Sequence, residues 1–275
     1  MNGNRDGLGL IRIEEDSIKN FNKTDKKGVY SFEYDNNKYY LKELKHTTNL
    51  YNELIGYEIG KKFGINVVPN DLATIDNYVG YLSKDYMKEE YVYLEDLLRS
   101  FYGTFVNKNN LDDVSFMFMS MYNDEVAKKI IDELINLMMF DIIIANSDRH
   151  DRNIIIDTKE MKLGPVADNE MLLSDLSLYD HYYSFSVKNS DGDRLEEFLD
   201  ILSNEQLKNF KDRISIINEK NIQSIIKRIE SKLGEPMVEG IKNRIIDKFK
   251  RNHKTLSKAV NNKIKKKGKS KTLCK

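Results

Sequence analysis

The chain has 275 residues, 40% hydrophobic and 32% charged, enough for one large domain or two lobes around a core of ordinary size. Its 44 lysines and arginines balance 44 acids, so no global field draws it to nucleic acid or an acidic membrane. The lone Cys274 excludes an intrachain disulfide, Met1 to Gly9 lacks an apolar signal core, and no apolar run approaches the ~20 residues that cross a bilayer, so a soluble cytoplasmic protein without membrane contact is expected.

The first strand candidate is Leu8 to Ile13, inside a polar stretch that runs to Lys27. Gly28 to Tyr34 alternates, Asp35-Asn36-Asn37 turns, and Lys38 to Leu41 alternates again, which predicts a hairpin. Lys42 ends the second strand; a lysine there is either a solvated edge residue or one held for a ligand, with Lys38 as the alternative. Before the hairpin, Thr24-Asp25-Lys26-Lys27-Gly28 is either an ordinary charged turn or an anion site of backbone amides with Lys26 or Lys27. No extended glycine cradle precedes it, and Gly28 alone permits only a tight turn. Leu50, Leu54, Ile55, Ile59 and Phe63 fall at helical spacing, with Thr47 or Thr48 placed to cap. Glu53 lies on this helix, as does Glu58, and both could be solvated charges. Gly56 and Gly60 lie roughly on the face of Glu53, where missing side chains allow close approach to a sheet. Ile65 to Val68 leads into Pro69, and Leu72 to Ile75 and Tyr78 to Met87 read as strands joined at Asp76-Asn77, completing a small antiparallel sheet. Lys88-Glu89-Glu90 is a charged break that separates an N-terminal lobe (1–89) from a helical lobe (90–253).

Tyr93 to Phe101 opens the helical part. Leu111 to Tyr122 is rich in Met and Phe, which fill a core or form an adaptable binding surface. Asp124 is placed to cap a helix whose Val126, Ile130, Ile131, Leu134, Ile135, Met138 and Met139 form a core-facing stripe. That run stops at Ala145 and gives way to the polar cluster Asn146 to Asn153. Two short apolar runs, Ile154 to Ile156 and Met161 to Leu163, flank turn residues; Gly164 and Pro165 follow, and Asp168 lies just beyond. If the runs pair, the open end of their hairpin brings Asn153 and Asp168 together, with Asp148 five residues before Asn153. The alternative is a plain exposed polar loop. An amide and two carboxylates there would make a proton-acceptor and hard-metal site, and such oxygen ligands suit magnesium.

Beyond Asp168, Asn169 to Ser190 is rich in Ser and Tyr and includes His181. Amphipathic helices follow at Leu195 to Leu202, Glu205 to Ile217, Ile222 to Leu233 and Met237 to Lys250, with boundaries at Ser203, Asn221 and Gly234-Glu235-Pro236. The lysine-rich end, 254–275, reads as a disordered tail, either solubilising or in touch with nucleic acid or acidic partners.

Asp-x4-Asn, a hairpin, then Asp is the order of the protein-kinase catalytic loop and its metal-binding Asp. The wording here, D-R-H-x-x-N and then G-P-V-A-D-N-E, resembles the HipA-like serine/threonine kinases and, more distantly, the phosphatidylinositol kinases. The resemblance covers roughly Gly28 to Asp168. It implies an α+β, two-lobed protein-kinase-like fold with a small antiparallel-sheet N-lobe and a mostly helical C-lobe. It also implies an ATP- and Mg2+-dependent phosphotransferase, with Asp148 as catalytic base, His150 (or Arg152) near the transferred phosphate, and Asn153 and Asp168 as magnesium ligands. Lys42, held by Glu53, would meet the nucleotide phosphates beside Lys26 and Gly28, and the backbone from Met87 to Tyr91 would meet adenine. Residues 169–190 take the place of an activation or substrate-binding segment. HipA-like proteins are often toxins with a DNA-binding antitoxin partner, although this chain has little room for the extra N-terminal domain of full-length HipA. A protein substrate is implied; a lipid or small-molecule acceptor, or a non-catalytic pseudokinase scaffold, is the other reading.

Overall fold

A computed structural model describes residues 11–24, 28–43, 47–103, 110–146, 148–169, 194–234 and 236–273. Strands β1 (Ile11–Ile13), β2 (Lys19–Lys23), β3 (Val29–Tyr34), β4 (Asn37–Glu43), β5 (Asp71–Ile75) and β6 (Tyr78–Lys84) form one sheet in the order β1-β5-β6-β4-β3-β2. Only β1 with β5 is parallel. The β3–β4 hairpin turns on Asp35 and Asn36, both at positive φ (49° and 56°), the backbone a two-residue hairpin demands. Strand β2 escaped prediction because it is a polar edge: only Phe21 is apolar, stacking on Tyr30 at 5.3 Å, and Asn20 at φ 55° interrupts the register. A Cβ on Gly80 would stand 2.3 Å from the Lys42 carbonyl oxygen, so glycine is what lets β6 pass close to β4 there.

Helix α1 (Thr47–Phe63) crosses between β4 and β5. Its buried face, Tyr51, Leu54, Ile55, Ile59 and Phe63, joins Leu72 and Tyr81 of the sheet to the helical core, and Phe63 meets Phe140 at 5.8 Å. The other sheet face holds a separate small core of Ile11, Ile13, Phe32, Tyr39, Leu41, Ala73, Ile75 and Leu82. Apolar packing between the sheet and the helical core therefore runs largely through α1, with Lys232 of the later helices pairing with Asp71 at 2.6 Å besides.

The remainder is mostly helical: α2 (Leu94–Tyr102), α3 (Leu111–Met121), α4 (Asp124–Ile144), α5 (Arg194–Ile201), α6 (Asn204–Ile214), α7 (Glu219–Leu233) and α8 (Glu239–Leu273). A second antiparallel sheet joins β7 (Tyr91–Tyr93), β8 (Ile155–Asp157) and β9 (Lys162–Leu163). The chain thus has the α+β, two-lobed kinase-like architecture. Helix α4 is capped by Asn123 rather than Asp124, and α7 by Asn218, whose side chain accepts from the amide of Asn221. Ser203 and Gln206 form a reciprocal capping box on α6, and Gly234 at φ 74° ends α7. The Met/Phe run of α3 divides: Met117 and Phe118 are buried, while Phe116, Met119 and Met121 face solvent.

The expected disordered tail is not observed, because α8 runs unbroken through residue 273. Its lysine content concealed a buried stripe of Ile245, Phe249, Asn252, Leu256, Val260 and Lys263 at helical spacing. Lys263 reaches Glu196 at 3.0 Å and also pairs with Asp200, so its charge is buried with partners. Of the expected activation segment (169–190), Asn169 alone is among the described residues, and Lys26 and Lys27 lie outside them.

Candidate active site

Helix α4 carries Asp141 inside its apolar run, and the helix ends on Ala145 in the left-handed region (φ 51°). Asp141 and Arg149 are both almost wholly buried, and a buried ion pair persists only when its remaining hydrogen-bonding groups are satisfied. Arg149 Nε donates to Asp141 Oδ2 at 3.1 Å, and Nη2 to Asp141 Oδ1 at 3.2 Å. Nη1 donates to the Ala167 carbonyl at 2.5 Å, and Nη2 also reaches Asn169 Oδ1 at 2.8 Å. Asn146 Nδ2 donates to the same Asp141 Oδ1 at 3.2 Å. Burial pushes the Asp141 carboxyl pKa up, and the guanidinium and the Asn146 amide pull it back. One guanidinium therefore ties the loop after α4 both to the helix and to the segment after β9 that carries Asp168.

Asp148, His150 and Asn153 sit on that loop. The Asp148 amide donates to Asn146 Oδ1 at 3.3 Å. Its carbonyl accepts from Asn153 Nδ2 at 3.1 Å, which closes the loop on itself. Asn153 Nδ2 also stands 3.3 Å from His150 Nε2. The Arg152 amide donates both to His150 Nδ1 at 3.2 Å and to Asp151 Oδ1 at 3.0 Å, which caps the short turn 151–153. The Asn153 nitrogen being so engaged, its oxygen is the atom left for a cation.

Asp168 has φ 61°, and its Oδ1 lies 3.7 Å from Lys42 Nζ. The structure thus brings together Lys42 from β4 and Asp168 from beyond the β8–β9 hairpin. Glu53 on α1 is buried, and its Oε1 accepts from the Asn169 amide at 3.0 Å. Burial and the Asp168 charge push the Glu53 carboxyl up to about 7, while Lys42, the Asn169 amide and Arg149 oppose the shift. Among the described residues Glu53 Oε2 has no hydrogen-bond partner. A Cβ on Gly56 would stand 2.8 Å from Asn169 Cβ, and one on Gly60 would overlap Val67. The two glycines admit these neighbours, Asn169 after the key aspartate and Val67, which bridges to Val166, rather than the large sheet.

The other predicted residues lie as follows. Gly28, at φ 75°, closes its turn, its carbonyl accepting from the Glu43 amide at 2.7 Å. Lys38 lies 3.9 Å from Asp85 and over the Tyr40 ring, and so is not the lysine at Asp168. Met87 is exposed, and its amide donates to Asp85 Oδ1 at 3.0 Å. Tyr86, beside it, has its hydroxyl pKa raised by burial and then by the charges of Tyr93, Asp168, Asp85 and Glu53.

Sequence reasoning missed Asp141, Arg149 as the tie, and Asn169. The available signal was an isolated Asp within the apolar run from Leu137 to Ala145. Among the described residues no group of three or more His, Cys, Asp or Glu is arranged to hold a metal. The donors at hand are the Asn153 amide oxygen and the Asp168 carboxylate, a hard-oxygen pair that fits magnesium completing its shell with substrate phosphates. A separate cavity of about 330 Å³, between Gly64–Asn66, α4 and β9, contains none of these residues.

No family model matches this sequence, and no curated protein matches it. Among solved structures, the Helicobacter pylori proinflammatory kinase CtkA superposes with a TM-score of 0.67, at 18% identity, over 93% of this chain and 98% of that one. The two share a fold. A HipA chain from the Shewanella oneidensis MR-1 complex of HipA, HipB and operator DNA gives 0.44, at 16% identity, over 82% of this chain and 57% of that one, a likeness too slight to argue from.

Proposed function

We propose that the chain is an ATP- and magnesium-dependent phosphotransferase acting on a hydroxyl, with a protein serine or threonine as acceptor. The observation that carries the reading is the convergence of Lys42 and Asp168 at 3.7 Å beside a loop bearing Asp148 and Asn153, in a fold shared with a kinase. Asn153 and Asp168 would hold magnesium, which when bound neutralises charge on the nucleotide phosphates. Lys42 would donate to phosphate oxygens, and its 3.7 Å approach to Asp168 marks where phosphate and metal would intervene. Asp148 would accept the proton of the attacking hydroxyl as the acceptor oxygen bonds to phosphorus and the bond to ADP breaks. Arg149 touches none of these groups in transit; it positions them by fixing the loop against Asp141 and the Ala167 carbonyl. In phosphoryl transfer the protein works mainly by positioning and electrostatics, so a rigid buried tie is the support such a site needs. The acceptor class rests on the resemblance of D-R-H-x-x-N to HipA-like kinases. Transfer of label from γ-labelled ATP to the chain itself or to a generic protein substrate tests the reading: wild type labels, and folded Asp148→Ala and Asp168→Ala do not. Absence of both transfer and Mg-ATP binding overturns it.

A further inference from the structure

Helix α8 has a second face that the phosphotransfer reading does not use. Residues 239–273 hold thirteen lysines and arginines against two acids, Glu239 and Asp247, in a chain whose charges otherwise cancel. The helix is therefore a basic bar on an acidic body. Arg244, Arg251, Lys258 and Lys265 recur every seven residues, and Lys254 falls on the same side, opposite the buried stripe. All five are exposed, and none forms an ion pair among the described residues. By contrast, Lys242, Lys250, Lys263 and Lys266 are held by Glu230, Glu219 and Glu196 on neighbouring helices. At 1.5 Å per residue the row spans about 32 Å, with a cation every ~10 Å along the heptad positions. Asp247 is the single acid on the row.

We infer that this ridge binds the phosphate backbone of duplex nucleic acid without base specificity. A straight line of unpaired cations complements a linear polyanion, and a basic stripe along one helix is the electrostatic footprint of such binding. A membrane surface fits less well. A surface-bound helix anchors through an apolar face, and the apolar face of α8 is spent on the protein core. The inference stands apart from the phosphotransfer reading and survives its failure.

The test is fluorescence anisotropy of the full chain with a labelled DNA duplex of about 30 base pairs, titrated at several salt concentrations, beside anionic vesicles of phosphatidylserine and phosphatidylcholine. Five neutralised phosphates give a slope of log K against log salt near −4.5, so affinity falls about 500-fold from ~50 to ~200 mM salt. Arg251→Gln/Lys258→Gln makes the slope shallower by about 2 and weakens binding at least about tenfold at ~50 mM salt. Asp247→Asn tightens binding, and Lys61→Gln/Lys62→Gln on α1 leaves it unchanged. All these side chains are exposed, so melting temperatures stay at the wild-type value. No duplex binding at low salt, a slope untouched by the ridge variants, or binding to vesicles alone would overturn the inference.

Discussion

Replacing Arg149 by Met removes the group that, among the described residues, joins α4, the loop after it and the segment carrying Asp168. Arg149 is 1% exposed and Asp141 3%, so the methionine leaves a buried carboxylate whose remaining side-chain donor, among the described residues, is the Asn146 amide, and strips donors from Ala167 O and Asn169 Oδ1. Removing one partner of a buried ion pair costs about 3–5 kcal/mol, which is a large share of the ~5–15 kcal/mol that keeps an ordinary domain folded. Arg149→Lys keeps a charge but cannot span three acceptors with one ammonium, so it too loses stability. Asp141→Asn/Arg149→Met removes the stranded charge, and its cost falls below the sum of the single costs by at least about 2 kcal/mol. Urea unfolding of wild type, Arg149→Met, Arg149→Lys, Asp141→Asn and the double variant, read at equal m-values, gives these differences directly. An Arg149→Met cost under about 1 kcal/mol, or strict additivity in the cycle, would refute the reasoning from burial.

Glu53 sets a pH dependence. Its carboxyl is raised from 4.5 to about 7 in the fold, so the folded chain holds a proton that the unfolded chain has lost between those values. Stability from this group is full at low pH, falls as pH rises through that window and levels off above about 7, a loss of about 3 kcal/mol. Glu53→Gln flattens that slope in urea midpoints measured across the same range. Gly80→Ala forces a methyl against the Lys42 carbonyl and lowers stability by about 1–3 kcal/mol in the same assay, as overpacking does. Leu256→Ala, at a fully buried site in the stretch that composition marked as tail, costs about 2–5 kcal/mol; no change in unfolding midpoint would return that stretch to a disordered tail.

The parts of the fold that could be read from sequence are those whose signals are local. The β3–β4 and β5–β6 hairpins show alternation and Asp/Asn turns, and α4 shows its stripe, so each was placed within a few residues. Strand β2 has no such signal, because an exposed edge is held by backbone pairing and the aromatic contacts of a single residue, Phe21. The second half of α8 was hidden because average composition does not register which lysines face outward. Order and spacing propose Asp148, Asn153 and Asp168 as a site; the structure sets Asp168 beside Lys42 and closes the Asp148–Asn153 loop on itself. Asp141 and Arg149 were not legible, since their meeting depends on how α4 is buried. The pairing of Lys42 with Glu53 is what the kinase resemblance implies, with the acid on α1 set opposite the strand lysine. In the structure the lysine stands 3.7 Å from Asp168 and acts on Glu53 through its charge, while Glu53 takes the Asn169 amide.

The most direct measurement compares binding and transfer on the same samples: wild type, Asp148→Asn and Asp168→Asn, each with labelled ATP, with and without magnesium. The proposed roles predict that wild type is stabilised by Mg-ATP and transfers label. Asp148→Asn should keep that stabilisation but lose transfer, and Asp168→Asn should lose both. Wild type that neither binds Mg-ATP nor transfers label, or Asp168→Asn that does both as well as wild type, would contradict them.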